Sequence, residues 1–214
     1  MATIAKLTSI GILVVSFLLA ILFYYMMSSK TKEYKLKVIE QVTSMLINFV
    51  IYIWIAKIIL SISTFVRDPI AVLAYPSDSR SFYLAFAFVL LHSVYQATKD
   101  LQQVKQTTEA YVPVFLSASF FYEFIHTITE NYTFSSFYLA LLFVLLMILV
   151  IGFERWPKQM LHLSLMIAWS VGTFILAIRL PYITIFGYLV SPLFLVVLLI
   201  MFIGLLIYNQ RKVV

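Results

Sequence analysis

Residues 9–27 read SIGILVVSFLLAILFYYMM, with no charge and no proline. A helix that crosses a bilayer needs about 20 mainly apolar residues. This stretch meets that length and exceeds the 7–15 apolar residues of a signal-peptide core. No small-x-small cleavage site follows it. Ser28, Ser29 and a Lys-rich turn follow instead, with Lys30, Lys32, Lys35 and Lys37. The stretch reads as a retained transmembrane helix.

Six more runs of this kind follow. The expected spans are residues 9–27, 46–66, 81–97, 111–128, 134–153, 161–178 and 187–208. The turns between them carry the charges and prolines. Two examples are Arg67-Asp68-Pro69 and Glu154-Arg155-Trp156-Pro157-Lys158. The stretch 98–110 is the most polar and reads as a surface helix that extends one of its neighbours. Pro113 and Glu123 interrupt the fourth run. The runs do not alternate polar with apolar, so a membrane β-barrel is excluded. Helices satisfy their backbone groups internally, so each span should be helical. The expected fold is all-α: one transmembrane helical domain, residues 1–214, with about seven spans.

The composition agrees. Of the 214 residues, 63% are hydrophobic and 11% charged. An average soluble domain is about one quarter charged. A soluble enzyme, a disordered tail and a nucleic-acid-binding module are thereby excluded. The chain has no cysteine, which excludes disulfides and thiolate metal sites. It has five glycines, few for a transporter built on unwound helices.

Lys and Arg set the orientation, because they collect on the cytoplasmic side. With the 28–40 turn inside, the inner set is Lys30, Lys32, Lys35, Lys37, Lys99, Lys105, Arg155, Lys158, Arg211 and Lys212. The outer set is Lys6, Arg67, Arg80 and Arg179. This predicts the N-terminus outside, the C-terminus inside and a multi-pass place in the plasma (inner) membrane. Trp54 before Arg67-Asp68-Pro69 and Trp169 before Arg179-Leu180-Pro181 hint at a repeat, but their spacings differ.

Ionisable groups inside a span are costly and mark functional candidates. Three are Lys57, His92 and Glu123, each placed near the midplane by counting helical rise. Lys57 and Glu123 make an ion pair if their helices adjoin, and His92 is the titrating member of any relay. Glu123 and His126 have the Glu-x-x-His spacing of a di-iron bundle, but no second copy exists, so no metal and no cofactor are expected. His126 and His162 read as interfacial. Arg67, Arg80 and Arg179, with Asp68, Asp78, His126 and Glu130, map to the outer side. Arginines there can hold a phosphate or carboxylate bidentately. Asn131-Tyr132-Thr133 matches a glycosylation sequon.

Three functions fit these residues. The first is a cell-envelope protein that handles a lipid or lipid-linked substrate at its outer face. If it is an enzyme, His126, His92 or Glu123 are the catalytic candidates, and Arg67, Arg80 and Arg179 clamp the headgroup. The second is a small transporter or ion pathway using Lys57, His92 and Glu123. The third is a non-catalytic subunit or immunity-type protein that works by helix–helix contact. The expected partners are membrane lipids, or a second membrane protein in the third case, and no nucleic acid.

Overall fold

A computed structural model describes residues 2–74, 77–130 and 135–211, with side chains at 8–73, 77–129 and 136–208. Tyr75, Pro76, the sequon at 131–133, Phe134 and Lys212 lie outside the described residues. So do the side chains of Lys6, Glu130 and Arg211.

The described chain is helical apart from one small hairpin. The elements are α1 (Ala2–Met27), α2 (Lys32–Leu60), α3 (Ile62–Arg67), α4 (Pro69–Ala74), α5 (Ser79–Lys99), α6 (Leu101–Glu130), α7 (Ser135–Gly152) and α8 (Lys158–Arg179), then β1 (Thr184–Ile185), β2 (Tyr188–Leu189) and α9 (Pro192–Arg211). Among the described residues, five helices are long and apolar enough to cross a membrane: Thr8–Met27, Lys32–Leu60, Ser79–Lys99, Leu101–Thr129 and Lys158–Arg179. Ser136–Gly152 and Pro192–Tyr208 are apolar but shorter.

Short polar residues start the helices. Asp68 Oδ1 accepts the Ala71 amide at 3.0 Å and caps α4, with Pro69 at its first position. Asp78 Oδ1 accepts the Ser81 amide at 2.9 Å and caps α5. Asp100 Oδ1 accepts the Gln103 amide at 2.9 Å and opens α6. Ser191 Oγ accepts the Phe194 amide at 3.3 Å ahead of α9. A side chain that accepts from one of the first free amides of a helix contributes about 1 kcal/mol.

Two boundaries differ from those read in the sequence. The second helix begins at Lys32, well before 46, and breaks at Ser61, whose φ of −121° and ψ of 31° leave the helical region. Apolarity alone placed the start at 46, yet Lys, Glu and Gln are good helix formers, and nothing in residues 32–45 stops the helix. The last helix starts at Pro192, not Gly187. Phe186 (φ 50°) and Gly187 (φ 83°) form the two-residue turn of the β1–β2 hairpin. The 98–110 connector is helical on both sides of a single break at Asp100.

The chain forms two compact units. One comprises Lys32–Thr108 and the other Met1–Thr31 with Glu109–Val214. In the first, α2 packs along α5, and α4 lies against α2. In the second, α8 packs against both α7 and α9. The hairpin tip of the second unit sits in an aromatic cluster. Phe186 meets Phe17 at 5.1 Å, Tyr122 at 5.6 Å and Phe115 at 6.0 Å between ring centroids. Phe115 also meets Trp169 edge-on, and the Trp169 indole N–H donates to the Tyr138 hydroxyl at 3.1 Å.

The core is mainly apolar, but so is much of the open surface. Ile70, Met26, Val66 and Leu193 each leave more than 70% of their surface open, while Lys57, Glu123, His162 and Thr173 are buried. Large open apolar surface with polar groups inside is the pattern of a fold solvated by lipid. Trp54 is exposed and Trp169 buried, so the shared order of Trp, Arg and Pro has no common packing role.

Candidate functional site

A cavity of about 340 Å³ lies within the first unit, at the end where α2 begins and α5 turns into α6. Three helices supply its wall. From α2 come Lys37, Gln41, Ser44, Asn48 and Tyr52. These positions recur every three or four residues, which places them in one stripe along the helix. From α5 come Val89, His92, Ser93 and Gln96, again on one face. The first turns of α6 add Gln103, Val104, Thr107 and Thr108. Glu40 and Met45 complete the lining. Only Met45, Val89 and Val104 are apolar.

Exposure grades from mouth to floor. Lys37, Glu40, Ser44, Gln96 and Gln103 are exposed; Gln41, Asn48, Tyr52, His92 and Ser93 are half-buried; Val89 is buried. The mouth therefore carries the charges. The deeper wall carries carboxamides, hydroxyls and one imidazole.

Hydrogen bonds fix part of that wall. The Thr107 hydroxyl donates to Gln41 Oε1 at 2.9 Å and ties α6 to α2. His92 uses both ring nitrogens: Nδ1 lies 3.0 Å from the Tyr52 hydroxyl and Nε2 lies 2.7 Å from Gln96 Nε2. A carboxamide nitrogen can only donate, so Gln96 donates to His92 Nε2. In neutral imidazole Nδ1 then carries the hydrogen and donates to the Tyr52 oxygen. The Tyr52 hydroxyl hydrogen has no other acceptor among the described residues. The side chains of Asn48, Ser44 and Ser93 likewise have no hydrogen-bond partner among them. Ser44 is exposed, but Asn48 and Ser93 are half-buried, and half-buried amide and hydroxyl groups without partners carry an unmet desolvation cost, so a cavity that presents them suits water or a polar ligand.

The residues singled out from the sequence fall in different places. His92 lines this cavity. Lys57 sits in the last turn of α2, where Nζ donates to the Leu73 carbonyl at 3.3 Å. That carbonyl belongs to the last turn of α4, one of the acceptors a helix end leaves open, so Lys57 serves α4 as a cap. Glu123 is buried on α6 in the second unit, and the His126 ring packs on Tyr122 at 4.6 Å on the same helix. His92 and Lys57 thus share one unit, and Glu123 and His126 the other.

Arg67, Arg80 and Arg179 are exposed, in the last turn of α3, the first turn of α5 and the last turn of α8. None of the three side chains makes a hydrogen bond among the described residues. Arg80 acts electrostatically on Asp78. His162 is buried in the first turns of α8 against Phe153, and its Nε2 has no partner among the described residues. Among the described residues no three His, Cys, Asp or Glu side chains gather into a metal-binding group.

Sequence reasoning missed Gln41, Ser44, Asn48, Tyr52, Ser93 and Gln96. The missed signal is their spacing, a polar stripe running through apolar helices. No protein-family model, no curated protein and no solved structure matches this chain.

Proposed function

We propose that the chain is a small solute carrier of the plasma membrane that binds a polar solute in the cavity of residues 37–108. The supporting observation is the cavity itself: three apolar helices turn polar faces toward one another and leave Asn48, Ser44 and Ser93 unpaired there. The deeper part of that stripe, at Asn48, Tyr52 and His92, carries the argument, because a helix in lipid gains nothing from such side chains unless water or a ligand meets them.

The proposed topology has seven crossings, made by α1, α2, α5, α6, α7, α8 and α9, with the N-terminus outside and the C-terminus inside. The short helices α3 and α4 then lie on the outer side. With 29 residues, α2 is about 43 Å long at 1.5 Å per residue, against a hydrocarbon core of about 30 Å. Its Lys-rich first turns therefore project beyond the core, as do the polar first turns of α6. The cavity opens at that end, on the cytoplasmic side in this orientation.

The outer-face lipid reading keeps one support: Arg67 and Arg80 are both exposed and flank the connector from α3 to α5. It ranks second, because none of these arginine side chains makes a hydrogen bond among the described residues.

Native mass spectrometry tests the solute-binding reading. The purified protein is incubated with glucose, alanine, succinate and ethanolamine. The wild type should retain at least one of them. Ser93→Trp, which fills the cavity, should retain none while keeping the helical circular-dichroism spectrum. Equal retention by both proteins would contradict the reading.

A further inference from the structure

We infer that this cavity takes a neutral, hydroxyl-rich solute of about monosaccharide size, a polyol or sugar. The inference rests on the solute-binding reading above and adds the ligand class. The argument starts from charge. The ionisable side chains that line the cavity are Lys37, Glu40, Tyr52 and His92. Lys37 and Glu40 stand three residues apart at the exposed mouth, where their charges offset each other. Tyr52 bonds to His92, and His92 also bonds to Gln96. An anionic or cationic solute on the floor would find no opposite charge, and a desolvated charge without a partner is costly.

The groups that remain open are of another kind. Asn48 offers a carbonyl and an amide together, Ser44 and Ser93 offer hydroxyls, and the Gln41 nitrogen stays open while its oxygen accepts from Thr107. Each is matched by a hydroxyl, which donates once and accepts twice. A solute rich in hydroxyls satisfies several at once, and one without them leaves them unpaired. That asymmetry is the strong form of specificity.

The chain of donors gives direction. Gln96 donates to His92 and His92 to Tyr52, so the Tyr52 hydroxyl is set to donate onward to an oxygen of the solute. Val89, Met45 and Val104 supply the apolar part of the wall, which suits the C–H faces of a sugar ring. A volume of about 340 Å³ is at the small end for ligand cavities.

Calorimetric titration of the full chain in lipid nanodiscs tests the inference, with five probes. D-glucose and sorbitol are neutral; D-gluconate, D-glucosamine and glycine betaine carry charge. Glucose or sorbitol should bind at least tenfold more tightly than any charged probe. Asn48→Leu keeps the side-chain volume and removes the amide, and should weaken that binding at least tenfold with little change in thermal unfolding. A charged probe that binds equally or better overturns the ligand class and leaves the solute-binding reading standing. Binding that Asn48→Leu does not change places the solute elsewhere and overturns the inference. No binding of any probe overturns the ligand class, and the solute-binding reading too if Ser93→Trp then behaves like the wild type in the mass-spectrometric assay.

Discussion

Asp78 shows how one side chain sets a helix start. Its Oδ1 accepts both the amide and the hydroxyl of Ser81, at 2.9 and 2.6 Å. Burial by itself raises the carboxyl pKa. The Ser81 hydroxyl, the amides of Ser81 and Asp78 and the charge of Arg80 outweigh it and hold the group below its ordinary 3.8. A depressed carboxylate stabilises the fold fully above its unfolded pKa, and that contribution is lost as pH falls through the lower folded value. Asp78→Ala should therefore destabilise the protein at neutral pH by about 1 kcal/mol, as for other caps. The gap in Tm between wild type and variant should close on acidification below 3.8. A gap that ignores pH would contradict this role. Lys57 teaches the reverse lesson. Its type and position in an apolar run flagged it from the sequence, but its bond to the Leu73 carbonyl crosses from α2 to α4, a contact that no local pattern encodes.

At the scale of elements, most helices were legible because apolar length is a strong signal, and the spans at 9–27, 81–97 and 161–178 lie inside α1, α5 and α8. The β1–β2 hairpin was not legible. Its apolar residues Ile183, Ile185 and Val190 are buried and merge in sequence with the helix that follows. Only Gly187 and Pro192 punctuate it. Phe17, which the hairpin tip meets, lies about 14 Å along α1 from Thr8. The tip thus packs against the middle of an apolar helix. Within a membrane core, backbone of this kind survives only when protein surrounds it. Gly187 has a φ of 83°, and an added Cβ would stand 3.1 Å from the Tyr122 hydroxyl. Gly187→Ala should cost about 1–2 kcal/mol from the left-handed backbone alone. Thermal unfolding in detergent checks this, and an unchanged Tm would mean that the turn is not held this way. The polar stripe of α2 was legible in principle. A span start at residue 46, set by apolarity alone, separates Lys37, Gln41 and Ser44 from Asn48 and Tyr52 and hides the three-and-four spacing.

For the whole molecule, the sorting of apolar and charged residues predicts a membrane fold, and the helices agree with it. The candidate site was legible only at His92, because a cavity arises from three helices meeting and each contributes a face that looks unremarkable alone. The central claim is that this cavity is wet and opens toward the Lys-rich end, on the cytoplasmic side. The chain has no cysteine, so a single introduced thiol reports without background. The direct measurement is labelling of Ser93→Cys by a membrane-impermeant thiol reagent in membrane vesicles of both orientations. The account predicts rapid labelling in inside-out vesicles and none in right-side-out vesicles. Labelling from the outer side alone, or from neither side, would contradict it.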